Sequence, residues 1–253
     1  NFKQEKIYVF VEPDFQKKEF KAHEKIELFA LYDDLTYIDL DAVDMEIINV
    51  SSSNEKLKFR YDGKVLRIFF NSIVKKGEKV EVEIDYRSKP QRGMFFVGPD
   101  EHYPDKDYQL WTQGEDEDTR YWLPCYDYPN ERSKTEVEIP VPKGYYAVSN
   151  GILKEIKNVG DKIIYHWVED FPHPIYLTSI AAGEFYVEED EIDNIKLLYI
   201  VPKRMKDSVK LSFVNTPDMI RFFSRILKFK YPYEKYAQVV VYDFIFGGME
   251  NIN

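Results

Sequence analysis

A lone cysteine, Cys125, excludes an intrachain disulfide, so nothing in the 253 residues requires an oxidising compartment. A cytoplasmic setting is the expectation. Histidines are scarce too: of the four, none has a partner at metal-ligand spacing, and His23-Glu24 lacks the second histidine that a helical H-E-x-x-H needs, since that position holds Glu27. His23-Glu24 reads instead as an exposed pair on a strand, and His166 and His173 as structural. No apolar run approaches the roughly 18 residues of a membrane span, and the first residues do not read as a signal peptide. Positive charge is in deficit, with 35 basic against 45 acidic residues and a net charge of −10. That argues against nucleic acid as a partner, which needs a basic patch, and is compatible with a cationic ligand. Internal repeats and low-complexity stretches are absent.

What is abundant is aromatic and β-branched. Aromatics make up 16% of the chain, with 20 Tyr and 18 Phe, which suits sheets more than helices. Val80, Val82, Ile84 and Tyr86 alternate with Glu81, Glu83 and Asp85, so one face of a strand is apolar and the other charged. Ile7–Val11 and Phe20–Leu28 are further strands. Phe59 and Tyr61, then Asp62-Gly63, then Val65–Phe70 predict a hairpin closed by an Asp-Gly turn. Many short strands separated by turn residues predict a mainly β fold, an antiparallel sandwich or saddle.

Between Trp111 and Pro129 a run of acids, Glu115-Asp116-Glu117-Asp118, is enclosed by Trp111, Trp122, Pro124 and Cys125. Most charge runs are solvated turns. Here the flanking bulky residues predict a rigid, aromatic-walled loop, with Arg120 and Asp127 as internal charged partners.

The charge run Glu188–Glu191 predicts a boundary, dividing the chain into residues 1–186 and 187–253. Thr216-Pro217-Asp218 then reads as a helix start, with a capping hydroxyl, a proline in the first turn and an acid behind it. Ile220, Phe223 and Leu227, widened by Phe222 and Ile226, supply the apolar face, and Tyr231-Pro232 the stop. Gln238–Ile245 is rich in β-branched and aromatic residues and predicts a strand running into Gly247-Gly248. Glycines leave room for a second backbone. With Glu250 beyond them, the edge and the acid suit an extended peptide and its ammonium. An ordinary glycine turn with Glu250 solvated fits the same residues.

Gly247-Gly248-Met249-Glu250-Asn251 resembles the G-[AG]-M-E-N signature of the zinc aminopeptidases of the aminopeptidase N family. Residues 112–129 resemble the same family's T-Q-x-E-x-x-D-A-R-x-x-[FL]-P-C-x-D-x-P. Thr112, Gln113, Glu115, Asp118, Arg120, Pro124, Cys125, Asp127 and Pro129 fall on it. Thr119 replaces the usual Ala, Tyr128 the usual Glu, and Gly114 a bulkier residue, which puts the first side-chain pocket in question. The resemblance implies a β domain followed by the opening strands and helix of a thermolysin-like α+β catalytic domain. It implies that Glu115 and Glu250 bind a peptide's α-ammonium, that Gln113 lines the site, and that Gly247, Gly248, Met249 and Asn251 shape it. Zinc in the full-length enzyme would be held beyond Asn253, so the resemblance implies no catalytic residue and no metal ligand in this amino-terminal fragment. Partners would be peptides with a free amino terminus and the remainder of the catalytic domain. A scaffold relative with the same fold and no zinc chemistry is the alternative, and an independent β-sandwich binding module a third.

Overall fold

The computed structural model describes all 253 residues. Its first strands are β1 (Phe2–Asp14), β2 (Glu19–Ala30), β3 (Leu35–Asp41), β4 (Met45–Ser52), β5 (Glu55–Lys56) and β6 (Lys58–Tyr61). Next come β7 (Val65–Val74), β8 (Lys79–Ser88), β9 (Met94–Val97), β10 (Gln109–Thr112), β11 (Arg132–Pro142) and β12 (Tyr146–Ser149). The last are β13 (Ile152–Val159), β14 (Lys162–Pro174), β15 (Ile180–Gly183), β16 (Phe185–Ile192), β17 (Ile195–Pro202) and β18 (Lys235–Val239). Two helices, α1 (Val209–Phe213) and α2 (Thr216–Leu227), lie between β17 and β18. The fold is mainly β, as predicted.

Eight strands form the largest sheet in the order β13-β14-β11-β1-β2-β8-β4-β5, antiparallel except where β1 meets β11. Period-two alternation puts Ile7, Val9 and Val11 of β1, Ala22, Ile26 and Leu28 of β2, and Val82, Ile84 and Tyr86 of β8 on one buried face. Glu24 shares it: its register neighbours are Val9 and Ile84, and it is wholly buried. The exposed strand pair expected at His23-Glu24 is thus half wrong. Only His23 faces outward, 2.8 Å from the Asp85 carboxylate. The predicted hairpin is β6–β7, with Asp62 Oδ1 accepting the Lys64 and Val65 N–H groups.

Smaller sheets complete the architecture: β12-β15-β10-β9, β3-β7-β6 and β16-β17-β18. The run Glu188–Glu191 lies within β16. Both faces of β17 are covered, Leu198 and Ile200 joining the main core while Leu197, Tyr199 and Val201 pack with Val209 under α1. Such two-sided burial explains its apolar run from Leu197 to Val201.

The last helix departs from its predicted ends. Thr216 is its first residue, and its hydroxyl donates to Gln238 Oε1 at 2.7 Å instead of capping, tying α2 to β18. A left-handed Lys228 stops it at Leu227, before Tyr231-Pro232. Ile220 packs inward, but Phe222, Phe223, Ile226 and Leu227 are exposed. No helix is long and apolar enough to cross a membrane.

Candidate functional site

The four-stranded sheet is the floor of the site, and residues 240–253 are strapped across it. Trp111 in β10 stacks on Phe95 in β9 at 4.3 Å, meets Phe244 edge-on at 5.0 Å, and donates from Nε1 to the Tyr242 carbonyl at 3.0 Å. Gln109 Oε1 accepts the Tyr242 N–H at 2.9 Å, and the Lys106 ammonium reaches Asp243 at 3.0 Å. At the other end the Ile252 carbonyl accepts from Asn150 Nδ2 at 2.7 Å. The Gly151 N–H donates to Asn253 Oδ1 at 2.6 Å. Between floor and strap lies a cavity of about 660 Å³, bounded by Trp111, Thr112, Ser149 and Ile180 below and by Gly247, Met249 and Asn251 above.

Beside the strap runs the acidic loop, and its frame is buried and hydrogen-bonded. Trp122 and Cys125 are fully buried. Asp41 and Cys125 exchange backbone hydrogen bonds at 2.7 and 3.0 Å, fastening the loop to β3. Arg120 donates to Asp127 from its backbone N–H at 3.0 Å and from Nε at 3.1 Å, the internal ion pair expected of them. Glu117 pairs with Arg120 and Asp118 with Arg92.

Of the residues singled out in the sequence, Gln113 and Met249 meet directly, with Gln113 Nε2 at 3.6 Å from Met249 Sδ. Gln113 Oε1 and Asn251 Oδ1 are buried with no hydrogen-bond partner. Gly247, Gly248, Met249 and Asn251 line the cavity. Glu115 and Glu250 are exposed on the two segments that Gln113 and Met249 join, and neither is in an ion pair, while Glu117, Asp118 and Asp243 all are.

One expectation is corrected. The last strand stops at Val239, so no strand edge runs into the glycine pair. Val240 still bonds to Ile200, but from Val241 onward the backbone bends to follow Trp111 and Gln109 instead of β17. Gly247, at φ +80°, has open space where a side chain would stand, as does Gly248. Gly114 sits where a Cβ would lie 2.5 Å from the Tyr176 carbonyl oxygen and 2.6 Å from Thr119 Oγ1. Gly114→Ala is therefore expected to destabilise by about 1–3 kcal/mol by pushing the loop away from Tyr176, read as a lowered melting midpoint. An unchanged midpoint would show that the loop relaxes freely.

Sequence reasoning missed Lys106, Asn150, Glu169 and Lys235. Ser149-Asn150-Gly151 reads locally as an ordinary turn. Lys235 sits in a short strand, with its ammonium buried, donating to the Ser149 carbonyl at 2.6 Å and lying over the Trp167 ring at 4.5 Å. Burial pushes it down to about 7, with Glu169 opposing. Glycine aside, nothing in the sequence marks this corner.

The histidines are engaged apart from one another, His166 with Glu136 at 2.6 Å and His173 between the Phe171 carbonyl and the Thr178 hydroxyl. No three histidine, cysteine or carboxylate side chains are grouped to hold a metal ion.

With this geometry established, comparison with known proteins places the chain. It is 30% identical over 256 residues to "Probable aminopeptidase 1" of Saccharolobus solfataricus, covering 98% of this chain and 30% of that protein. It is 25% identical over 248 residues to "Probable aminopeptidase 2" of Sulfurisphaera tokodaii, covering 98% and 30%. The chain thus spans about 30% of the length of these curated relatives. Among solved structures, an M1 zinc metallopeptidase from Deinococcus radiodurans superposes with a TM-score of 0.81 at 15% identity, over 95% of this chain and 56% of that one. Identity that low speaks for the fold alone. The profile described as "Peptidase M1 N-terminal domain" matches residues 4–177, more than half of the sequence, and the chain belongs to that family.

Proposed function

We propose that this chain is the amine-recognition part of a zinc aminopeptidase, which removes residues from the free amino ends of peptides. The observation that carries the reading is the meeting of Gln113 with Met249, which leaves two buried, unpartnered acceptors, Gln113 Oε1 and Asn251 Oδ1, on segments that also bear the unpaired Glu115 and Glu250. Buried polar atoms are rarely left unsatisfied, and a ligand is one thing that satisfies them. All four groups offer acceptor oxygens, and an ammonium offers three donors and a positive charge. A blocked or internal peptide offers neither.

The names of the curated relatives support the activity, and a point mutant of the Deinococcus radiodurans metallopeptidase is described as bound to a Tyr-Ser-Ala substrate. Zinc belongs to the proposal for the whole enzyme, but the dispersed histidines of this chain do not fit it. Bond cleavage is therefore assigned to no residue here. The exposed apolar face of α2 supports a further part of the reading, the rest of a catalytic domain covering Phe223, Ile226 and Leu227.

The test is Glu250→Gln in the whole enzyme, which keeps the shape and removes the charge. Losing a charge-assisted hydrogen bond of roughly 1.5–3 kcal/mol should lower kcat/KM by about tenfold to a hundredfold. Zinc content should not change. Competitive inhibitors with a free α-amine should lose affinity by a similar factor, while N-acetylated counterparts keep theirs. Equal weakening of both classes would reduce Glu250 to a residue that shapes the strap.

A further inference from the structure

Glu250 hangs on a strap held mainly at its two ends. The near end is fixed at Tyr242 and Asp243. Between Phe244 and Asn251 the contacts are aromatic packing around Trp111, Phe95 and Phe246 and the long Gln113–Met249 approach. The far end is fixed two residues beyond Glu250, at the Ile252 carbonyl. What holds it there is Asn150.

Asn150 stands in the turn between β12 and β13 and is 2% exposed. Its Nδ2 donates to the Ile252 carbonyl at 2.7 Å and to the Leu177 carbonyl at 3.1 Å, and its Oδ1 accepts the Ser179 N–H at 2.7 Å. Both donors and the oxygen of one carboxamide are thus committed, and they join three separate segments of chain. No other residue type of this size offers two donors and an acceptor in one plane. The Ile252 N–H closes the same junction onto the Leu177 carbonyl at 3.4 Å.

The surroundings lock the carboxamide in place. The neighbouring Gly151 N–H donates to Asn253 Oδ1, and Asn253 Nδ2 donates to the Glu169 carboxylate. Glu169, 3% exposed, also accepts the Phe171 N–H at 2.8 Å. Behind the turn, Lys235 grips the Ser149 carbonyl. This corner lies at the end of the cavity away from Trp111.

We propose that Asn150 is a positioning residue: by holding the Ile252 carbonyl it fixes the strap so that Glu250 and Asn251 face the same ligand as Gln113 and Glu115. This rests on the amine-recognition reading for what the strap binds, but not for the anchor itself. Asn150 does not line the cavity. It acts through the backbone two residues from Glu250, as preorganised supporting groups do.

Two measurements separate anchor from ligand. In this chain, Asn150→Ala should speed amide exchange at Gly248 and Ile252, whose N–H groups are bonded to the Phe246 and Leu177 carbonyls, and at Gly151 by about tenfold or more, leaving the β1, β2 and β8 amides unchanged. Asn253→Ala, which keeps Asn150 and removes the acceptor of the Gly151 N–H, should expose the Gly151 amide fully but give a smaller rise at Gly248 and Ile252, and it decides the matter if Asn150→Ala does not fold. In the whole enzyme Asn150→Ala should raise KM for a free-amine substrate by about tenfold while kcat changes less than threefold. Affinity for an N-acetylated inhibitor should stay as it was. Unchanged strap exchange in the folded variants, or a fall in kcat at constant KM, would overturn the proposal. Failure of the amine reading shows elsewhere, as an unaltered enzyme or a Glu250→Gln variant that does not distinguish free from acetylated amines.

Discussion

Glu24→Gln is expected to flatten the pH dependence of stability and to make the chain more stable at alkaline pH. Glu24 is wholly buried on the apolar face of the largest sheet, and neither carboxylate oxygen has a hydrogen-bond partner. The Tyr86 hydroxyl, close enough to feel the Glu24 charge, donates to the Trp122 carbonyl at 3.0 Å instead. Burial pushes the Glu24 carboxyl well above its ordinary range, so the folded chain holds a proton that the unfolded chain releases above about pH 4.3. Stability from this group is therefore fully present below that pH. It is lost at about 1.4 kcal/mol per pH unit as pH rises towards the folded value. Tyr86 and Cys125, which share the pocket, are also pushed up by burial and stay neutral over the same range. Glutamine has no proton to lose. For a chain of this size, each pH unit in that window should open a gap of about 3–6 °C between the melting midpoints of the two proteins. Parallel midpoint curves from pH 5 to pH 8 would mean that Glu24 finds a partner in solution.

The parity of β2 already contained this result. Phe20, Ala22, Glu24, Ile26 and Leu28 occupy alternate positions, so the pattern that placed the apolar four inward placed Glu24 with them. In the first hundred residues β1, β2, β6, β7 and β8 were legible for the same local reason, because alternation and the Asp62-Gly63 turn are short-range signals, whereas β3, β4, β5 and β9 were not predicted. Distance in sequence is what hid the rest. Gln113 and Met249 are 136 residues apart, and only the resemblance of two motifs brought them to one place. Asn150 and Ile252 are 102 apart and carry no motif. At the end of the chain, propensity gave the wrong local answer. Val241–Ile245 has the composition of a strand, yet the Tyr242 N–H and carbonyl go to the Gln109 and Trp111 side chains, a tertiary demand that outweighs β propensity. Likewise Gly114 looks permissive in the sequence, and is there because Tyr176 leaves no room for a Cβ.

Gly151→Ala should produce the largest loss of stability of any glycine replacement in the chain. Gly151 has φ +79°, a left-handed conformation that puts an L side chain at a disadvantage of about 1–2 kcal/mol. Its Cβ would also stand 1.9 Å from the Val168 carbonyl oxygen, 2.3 Å from the carbonyl carbon and 2.6 Å from the Glu169 nitrogen. These are backbone atoms of β14, in register with Ile152 at the start of β13, and they cannot swing aside as a flexible side chain would. Relief requires β13 to lift from β14 at this end. Lifting it pulls the Gly151 N–H from Asn253 and shifts Glu169, so the strap loosens as the sheet edge opens. Strain and conformation together should destabilise by about 3–5 kcal/mol, lowering the melting midpoint by about 6–20 °C. Gly160→Ala is the control, because Gly160 has φ +62° and nothing within 4 Å of a Cβ, so only the conformational part remains. A midpoint for Gly151→Ala that matches Gly160→Ala would show that β14 yields without resistance, and that the corner holding Ile252 is softer than its packing implies.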